Sequence, residues 1–159
     1  MLVVTFALLL PAMVIAQTKT ETPDVFAKST NYVNDFEKIL TSSQTKNLSD
    51  FLKAGETKTK TKITIVTLSS IAPYTNLTDY SSDLEQYLVS KLKIDSSILI
   101  VLSKQLRQIH IQGVNKLRPK MSDQEIKDIV SAYVLPELKK GDYYKALQEG
   151  SIQLIKKLE

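Results

Sequence analysis

Residues 98–102, which read Ile-Leu-Ile-Val-Leu, constrain the fold more than any other part of this chain. An apolar run without polar alternation is typical of a β-strand that is covered on both faces. The next segment, residues 108–112, reads Gln-Ile-His-Ile-Gln and alternates strictly. It therefore predicts a strand with one buried face, nearer to an edge of the same sheet.

Helix signals surround these strands. Thr41 with Gln44, and Ser122 with Glu125, have the spacing of capping boxes and predict two helix starts. The first of these helices is expected to end near Gly55. The full element order reads β-α-β-α-β-β-α-α. This order predicts an α/β fold, a three-layer α/β/α sandwich around a small mixed sheet.

The helix that follows Ser122 carries a proline near its end. Pro136 has no backbone N–H, so a kink or stop is expected close to it. Asp142 is expected to cap the last helix. The predicted buried stripe of the Ser122 helix consists of Ile126, Ile129, Val130, Tyr133 and Val134.

Residues 1–16 contain no charged side chain and form an apolar segment. Its length suits a signal peptide better than a spanning helix, which needs about 20 apolar residues. Val14 and Ala16 fit a cleavage site before Gln17, although no Lys or Arg precedes the apolar run. The alternative is an N-terminal membrane anchor. We expect an exported protein, periplasmic or secreted, without a stable membrane anchor in the mature chain.

The remaining 143 residues suit one domain. Residues 17–30 are polar and predict a flexible leader, and residues 31–159 form the predicted domain. The formal net charge of +4 is small and scattered, which argues against nucleic-acid binding. The one local basic cluster, residues 58–62 (Lys-Thr-Lys-Thr-Lys), is interpreted as a solvated strand edge.

The order of several short motifs resembles the TPM domain family from about residue 32 to 158. No single motif is specific, but their order and spacing together indicate the family. They are Val33-Asn34-Asp35-Phe36, Leu40-Thr41, Asp95 before the central strand, Ser122-Asp123, Pro136 and Gly141-Asp142-Tyr143.

The resemblance implies two properties of family members, calcium binding and, in plant relatives, acid phosphatase activity. It makes Asp35 and Asp95 the candidate metal ligands. Departures from the family pattern oppose this assignment. Ser97 replaces a family glycine, and Arg118 stands where the family has a carboxylate. A guanidinium about 6 Å from Ca²⁺ would repel it by about 5 kcal/mol at an effective dielectric constant of about 20. We therefore expect a degenerate metal site and no cofactor, with calcium as the alternative.

No catalytic residue is predicted. His110 is the only histidine, and it is expected on the outer polar face of the edge strand. A general base or metal ligand needs partner residues, and the sequence spacing suggests none for His110. The sequence and the resemblance together favour a binding or accessory factor in envelope or membrane-protein maintenance. Its partner would be a protein or a membrane-protein complex. The alternative is a calcium-dependent enzyme that resembles an acid phosphatase.

Overall fold

The computed structural model describes residues 24–113, 117 and 119–159. Its elements, in chain order, are α1 (Asp24–Lys28), β1 (Val33–Asp35), α2 (Ser42–Thr59), β2 (Ile63–Thr67), α3 (Leu77–Ser90), β3 (Ile98–Ser103), β4 (Gln108–Gln112), α4 (Asp123–Ile129), a π-helical turn (Val130–Val134), α5 (Leu135–Lys140) and α6 (Tyr143–Leu158).

The four strands form one mixed sheet in the order β1-β2-β3-β4. The first three strands are parallel, and β4 runs antiparallel to β3. Val33, Ile65 and Ile100 lie in one row across the parallel strands. Within the described residues β4 pairs only with β3, so the strand predicted nearer to an edge is an edge strand.

Helices cover both faces of the sheet, which confirms the predicted three-layer sandwich. Ile98, Ile100 and Leu102 of β3 pack in one core cluster with residues of α2, α4 and α6. Leu99 and Val101 pack in a second cluster with residues of α1 and α3. All five side chains are buried, as the unbroken apolar run predicted.

The described part of the predicted leader is packed against the domain. Helix α1 lies within residues 17–30, and its Phe26 is only 1% exposed. The Phe26 ring meets the Tyr80 ring of α3 edge to face, with centroids 5.2 Å apart. One buried aromatic side chain therefore fixes a segment whose average composition is polar.

The predicted signal peptide, residues 1–16, lies outside the described residues. Among the residues that the structure does describe, no helix combines the length and apolar character needed to cross a membrane.

Both predicted capping boxes are present. In the first, the Gln44 N–H donates to Thr41 Oγ1 (3.1 Å) and the Thr41 N–H donates to Gln44 Oε1 (2.9 Å). In the second, the Glu125 N–H donates to Ser122 Oγ (3.2 Å) and the Ser122 N–H donates to Glu125 Oε2 (2.8 Å).

Helix α2 does not end near Gly55, as the sequence predicted, but continues to Thr59. A Cβ at position 55 would lie 2.3 Å from Ile155 Cδ1, so this glycine permits close packing of α2 on α6. Lys60 adopts the left-handed conformation (φ 58°) and caps the helix. The interpretation of residues 58–62 as a strand edge is therefore wrong, because this segment is a helix end and the loop after it.

The π-helical turn alters the predicted buried stripe. The Leu135 N–H donates to the Val130 carbonyl, five residues back, which inserts one extra residue into the turn. The extra residue shifts the following side chains around the helix axis. Tyr133 is therefore 43% exposed, while Val134 is buried. The π-helical turn ends at Val134, two residues before Pro136 and close to the predicted kink or stop, and the chain stays helical to the end of α5.

Candidate functional site

The Asp35 carboxylate lies at the carboxyl end of β1 and accepts three hydrogen bonds. Oδ1 accepts from the Ile39 N–H (3.1 Å) and from Thr67 Oγ1 (2.5 Å), and Oδ2 accepts from the Leu40 N–H (2.8 Å). These bonds close the turn after β1 and join it to the end of β2. Asp35 therefore holds the backbone at this end of the sheet.

Glu37 has a similar role that sequence reasoning missed. Its two carboxylate oxygens accept from the Lys104 and Gln105 N–H groups, each at 2.8 Å. The carboxylate thus holds the turn between β3 and β4 from 67 and 68 residues away. No local motif could have indicated this contact, because the two partners come together only in the folded sheet.

The structure does not bring Asp35 and Asp95 together. Asp35 shares a row with Thr67 and Leu102, at the carboxyl ends of the parallel strands. Asp95 precedes Ile98, at the amino end of β3. Ile98 and Leu102 alone are about 13 Å apart along the strand at about 3.3 Å per residue. The two carboxylates therefore lie at opposite ends of the sheet.

Arg118, the residue expected to oppose a metal, lies outside the described residues. Among residues 24–113, 117 and 119–159, no group of three or more His, Cys, Asp or Glu side chains is arranged to hold a metal ion.

His110 is the first of three side chains that are linked by hydrogen bonds and reach α3. Its Nε2 lies 3.1 Å from Gln112 Oε1, and Gln112 Nε2 donates to Glu85 Oε2 at 3.1 Å. The face of β4 that the sequence predicted as an outer polar surface is thus partly covered by α3. These contacts join the edge strand to a helix.

A cavity of about 620 Å³ opens where the turn between β3 and β4 meets the corner between α5 and α6. Carboxyl ends of parallel strands are the usual place for ligand sites in open α/β sheets. The cavity has apolar walls and a basic rim. The apolar residues are Leu102, Ile109, Leu135, Leu138 and Tyr143, and the basic residues are Arg107, Lys139 and Lys140.

A second cavity, of about 390 Å³, lies between β4 and α4. Ile109 and Ile111 line it from the strand, and Ile126 and Val130 line it from the helical side. Ile109 lines both cavities, so they are neighbours along the edge strand. We call the two cavities together the β4 groove.

The end of the β4 groove beside Arg107 is positively charged. Arg107, Lys139 and Lys140 are all exposed, and among the described residues that line this cavity none is Asp or Glu. Nearby, Glu137 Oε1 accepts a hydrogen bond from Lys140 Nζ at 2.9 Å, which lowers the pKa of the Glu137 carboxyl. Glu137 is therefore ionised and paired with Lys140.

Comparison with known proteins identifies the domain. The model of the TPM domain matches residues 33–157, which is most of the chain. The chain belongs to the TPM domain family. A comparison with curated proteins gives no match.

Solved structures show the same fold. The N-terminal domain of a protein from P. gingivalis is 26% identical, with a TM-score of 0.69, over 86% of this chain and 87% of that one. The N-terminal domain of the cg2496 protein from Corynebacterium glutamicum is 16% identical, with a TM-score of 0.64, over 82% and 81%. The BA42 protein from Bizionia argentinensis is 19% identical, with a TM-score of 0.65, over 77% and 83%.

One motif of the TPM resemblance builds a wall of the β4 groove. Gly141 takes the left-handed conformation (φ 81°) that ends α5, and the Asp142 carboxylate accepts from the Lys145 N–H at 3.0 Å to start α6. The Asp142 cap was predicted. The sharp corner places Tyr143 in the wall of the cavity, with Lys104 Nζ 5.4 Å from the centre of its ring.

Proposed function

We propose that this TPM domain protein acts by binding a partner protein, as an exported accessory factor in envelope or membrane-protein maintenance. The β4 groove carries this proposal, because its two neighbouring cavities have apolar side chains in their walls and the larger one has a basic rim. Apolar pockets with a few placed charges are typical of binding sites.

The geometry of Asp35 supports binding over phosphatase chemistry. A metal ion at this carboxylate would compete with the three hydrogen bonds that hold the turn after β1. Asp95, at the other end of the sheet, could not share that ion. Asp35 and Asp95, the candidate calcium ligands of the alternative function, are therefore too far apart to bind one ion together.

Photo-cross-linking tests the binding role directly. A benzophenone side chain at Leu135 should trap a protein partner in cells, because Leu135 lies in the β4 groove and is 37% exposed. Val89 on α3 is 38% exposed and serves as the matched control away from the groove. Equal trapping at both positions, or none at Leu135, would contradict the proposal.

Calcium and a phosphate ester test the alternative function. A ligand at 100 times its dissociation constant stabilises a protein by about 2.7 kcal/mol, which raises the melting temperature measurably. We expect no such shift with Ca²⁺ and no hydrolysis of p-nitrophenyl phosphate. A calcium-induced shift that Asp95→Ala abolishes, together with hydrolysis, would establish the enzyme instead.

Mass spectrometry of the exported protein tests the proposed location. We expect a mature N-terminus at Gln17 in the periplasmic or secreted fraction. An intact Met1 in the membrane fraction would establish the anchor and overturn the proposal of a soluble exported factor.

A further inference from the structure

In the part of the chain that the structure describes, no strand pairs with the edge of β4 that faces away from β3, and this edge presents backbone groups beside the β4 groove. The Leu68 N–H donates to the Leu102 carbonyl (3.1 Å), and the Ile98 N–H donates to the Lys62 carbonyl (3.0 Å). Residues 98 and 102 of β3 therefore direct their backbone groups towards β2. Since backbone groups alternate in direction along a strand, residues 99, 101 and 103 direct theirs towards β4.

The register then fixes the direction of the β4 backbone. Residues 99, 101 and 103 lie opposite Gln112, His110 and Gln108. Those three residues of β4 therefore exchange hydrogen bonds with β3. The N–H and C=O groups of Ile109 and Ile111 point the other way, towards the edge away from β3, and the same two residues line the groove.

The sequence of β4 carries neither of two residue types that commonly discourage strand pairing. Natural edge strands commonly carry Lys or Pro, which discourage another chain from pairing with them. β4 reads Gln-Ile-His-Ile-Gln and has neither. An additional strand along this edge would gain main-chain hydrogen bonds, and its alternate side chains would enter neighbouring pockets.

The groove lies on one side of that edge and has pockets for such side chains. Alternate residues of an extended peptide point to the same side and are separated by about 7 Å. One apolar side chain would contact Ile126 and Val130 in the smaller cavity. Another, further along the peptide, would contact Leu135 and Leu138 in the larger cavity.

The positive charge at the Arg107 end favours a negatively charged group of the peptide at this position. Arg107 and Lys139 both line the larger cavity and are exposed. A carboxylate at this end would meet two cations, and no Asp or Glu stands among the described lining residues of this cavity. Guanidinium–carboxylate hydrogen bonds are among the stronger polar contacts in proteins.

We propose that the β4 groove binds an extended segment of the partner protein as a fifth strand, with alternating apolar residues in the two cavities and a carboxylate beside Arg107 and Lys139. This inference rests on the proposed binding function and specifies the class of partner. The carboxylate is an Asp or Glu side chain of that segment, and loss of binding on amidation of the peptide would contradict this assignment.

A defined peptide pool tests the proposal. The probe is a fluorescent pool of peptides about eight residues long, the length of an ordinary strand, in which apolar residues alternate with Ser or Thr and the last residues are Asp or Glu. Binding is measured by fluorescence anisotropy against a pool that ends in Lys. An amidated acidic pool separates a side-chain carboxylate from a terminal one. Equal binding of the acidic and basic pools would overturn the proposal.

Variants of the protein test the position of the carboxylate. Arg107→Glu with Lys139→Glu should weaken binding of the acidic pool at least about tenfold, since both cations are reversed. Lys53→Glu with Lys91→Glu changes the net charge equally on exposed sites outside the groove and should weaken binding far less. Equal losses in the two double variants would show only a general charge effect and overturn the assignment.

Two backbone measurements test strand addition without altering the protein. N-methylation of alternate peptide amides should abolish binding in one of the two phases, because only one set of amides faces β4. Amide hydrogen exchange at Ile109 and Ile111 should be fast in the free protein and slow in the complex. Slow exchange that depends on protein concentration before peptide is added would show a second copy of this chain on the edge.

The outcomes separate this inference from the proposed function. A partner trapped at Leu135 but no binding of the acidic pool, or unchanged exchange at Ile109 and Ile111, would reject strand addition and leave the binding role standing. Absence of trapping with hydrolysis of the phosphate ester would reject the binding role itself.

Discussion

At the scale of single residues, carboxylates in this TPM domain stabilise turns and helix ends. Asp35 and Glu37 each accept hydrogen bonds from backbone N–H groups of loops at the carboxyl ends of the strands. Glu125 does the same at the start of α4. Asp35, which the family resemblance marks as a candidate metal ligand, thus holds a turn through its hydrogen bonds.

The Glu125 carboxylate should make stability depend on acid pH. A hydrogen bond from Lys157, then bonds from the Ser122 N–H and hydroxyl, lower the pKa of Glu125 from 4.5 to about 2. A lowered folded-state pKa gives stability that is complete above about pH 4.5 and is lost as the pH falls towards about 2. Urea denaturation over this range should show a steeper loss for the wild type than for Glu125→Gln.

A second variant assigns the cause of that pH dependence. Lys157→Met removes the largest contribution to the lowered pKa and keeps the capping box. It should reduce the slope of unfolding free energy against pH, but by less than Glu125→Gln does, because the hydrogen bonds from Ser122 to the carboxylate remain. Parallel pH profiles for the wild type and Glu125→Gln would contradict the assignment.

At the scale of elements, the ends of helices and strands depend on local signals, but their phase depends on packing. The capping residues Thr41, Ser122 and Asp142 were predicted from sequence and are confirmed. The exposure of Tyr133 was not predicted, because the π-helical turn interrupts the ordinary helical period. Such a turn carries no strong composition signal of its own.

Two glycines with positive φ should differ in their tolerance of a methyl group. A Cβ at Gly113 (φ 97°) would lie 2.4 Å from the Ser97 carbonyl oxygen, whereas a Cβ at Gly141 (φ 81°) would have no neighbour within 4 Å. Gly141→Ala should cost about 1–2 kcal/mol of left-handed backbone strain alone. Gly113→Ala should cost about 3 kcal/mol or more, since overpacking adds to the strain.

Chemical denaturation of the two glycine variants gives the comparison. Each variant is the control for the other, since both acquire the same methyl group in a left-handed backbone. Similar losses of unfolding free energy would show that the backbone around Ser97 can move to accommodate the methyl group. The close contact between Gly113 and Ser97 would then not constrain the end of β4.

At the scale of the whole molecule, one helix layer consists of α1 and α3, and α1 lies before the predicted start of the domain at residue 31. Phe26 contributes to the core cluster that covers Leu99 and Val101 of the central strand. Its ring also lies 5.8 Å from the Tyr87 ring, measured between centroids. The fold therefore extends at least to residue 24, beyond the boundary of 31 that the sequence predicted and beyond the family match at 33.

Removing the Phe26 ring should destabilise the whole domain. Phe26→Ala deletes a fully buried aromatic side chain and should cost about 3–5 kcal/mol. Lys28→Ala, two residues away on the same helix, removes an exposed ion pair with Asp24 and should change stability by less than about 1 kcal/mol. Urea denaturation measures both, and equal stabilities would show that α1 is not part of the cooperative unit.

The sequence by itself determined the strands, the capped helix starts and the coverage of both faces of residues 98–102. These features follow from hydrogen bonds and apolar periodicity among residues close together in the chain. Only the tertiary structure decided that Asp35 and Asp95 lie apart, that Glu37 holds a turn 67 residues away, and that Ile109 lines two neighbouring cavities. Contacts between distant segments depend on the packing of layers, and no local pattern of residues encodes which segments become neighbours.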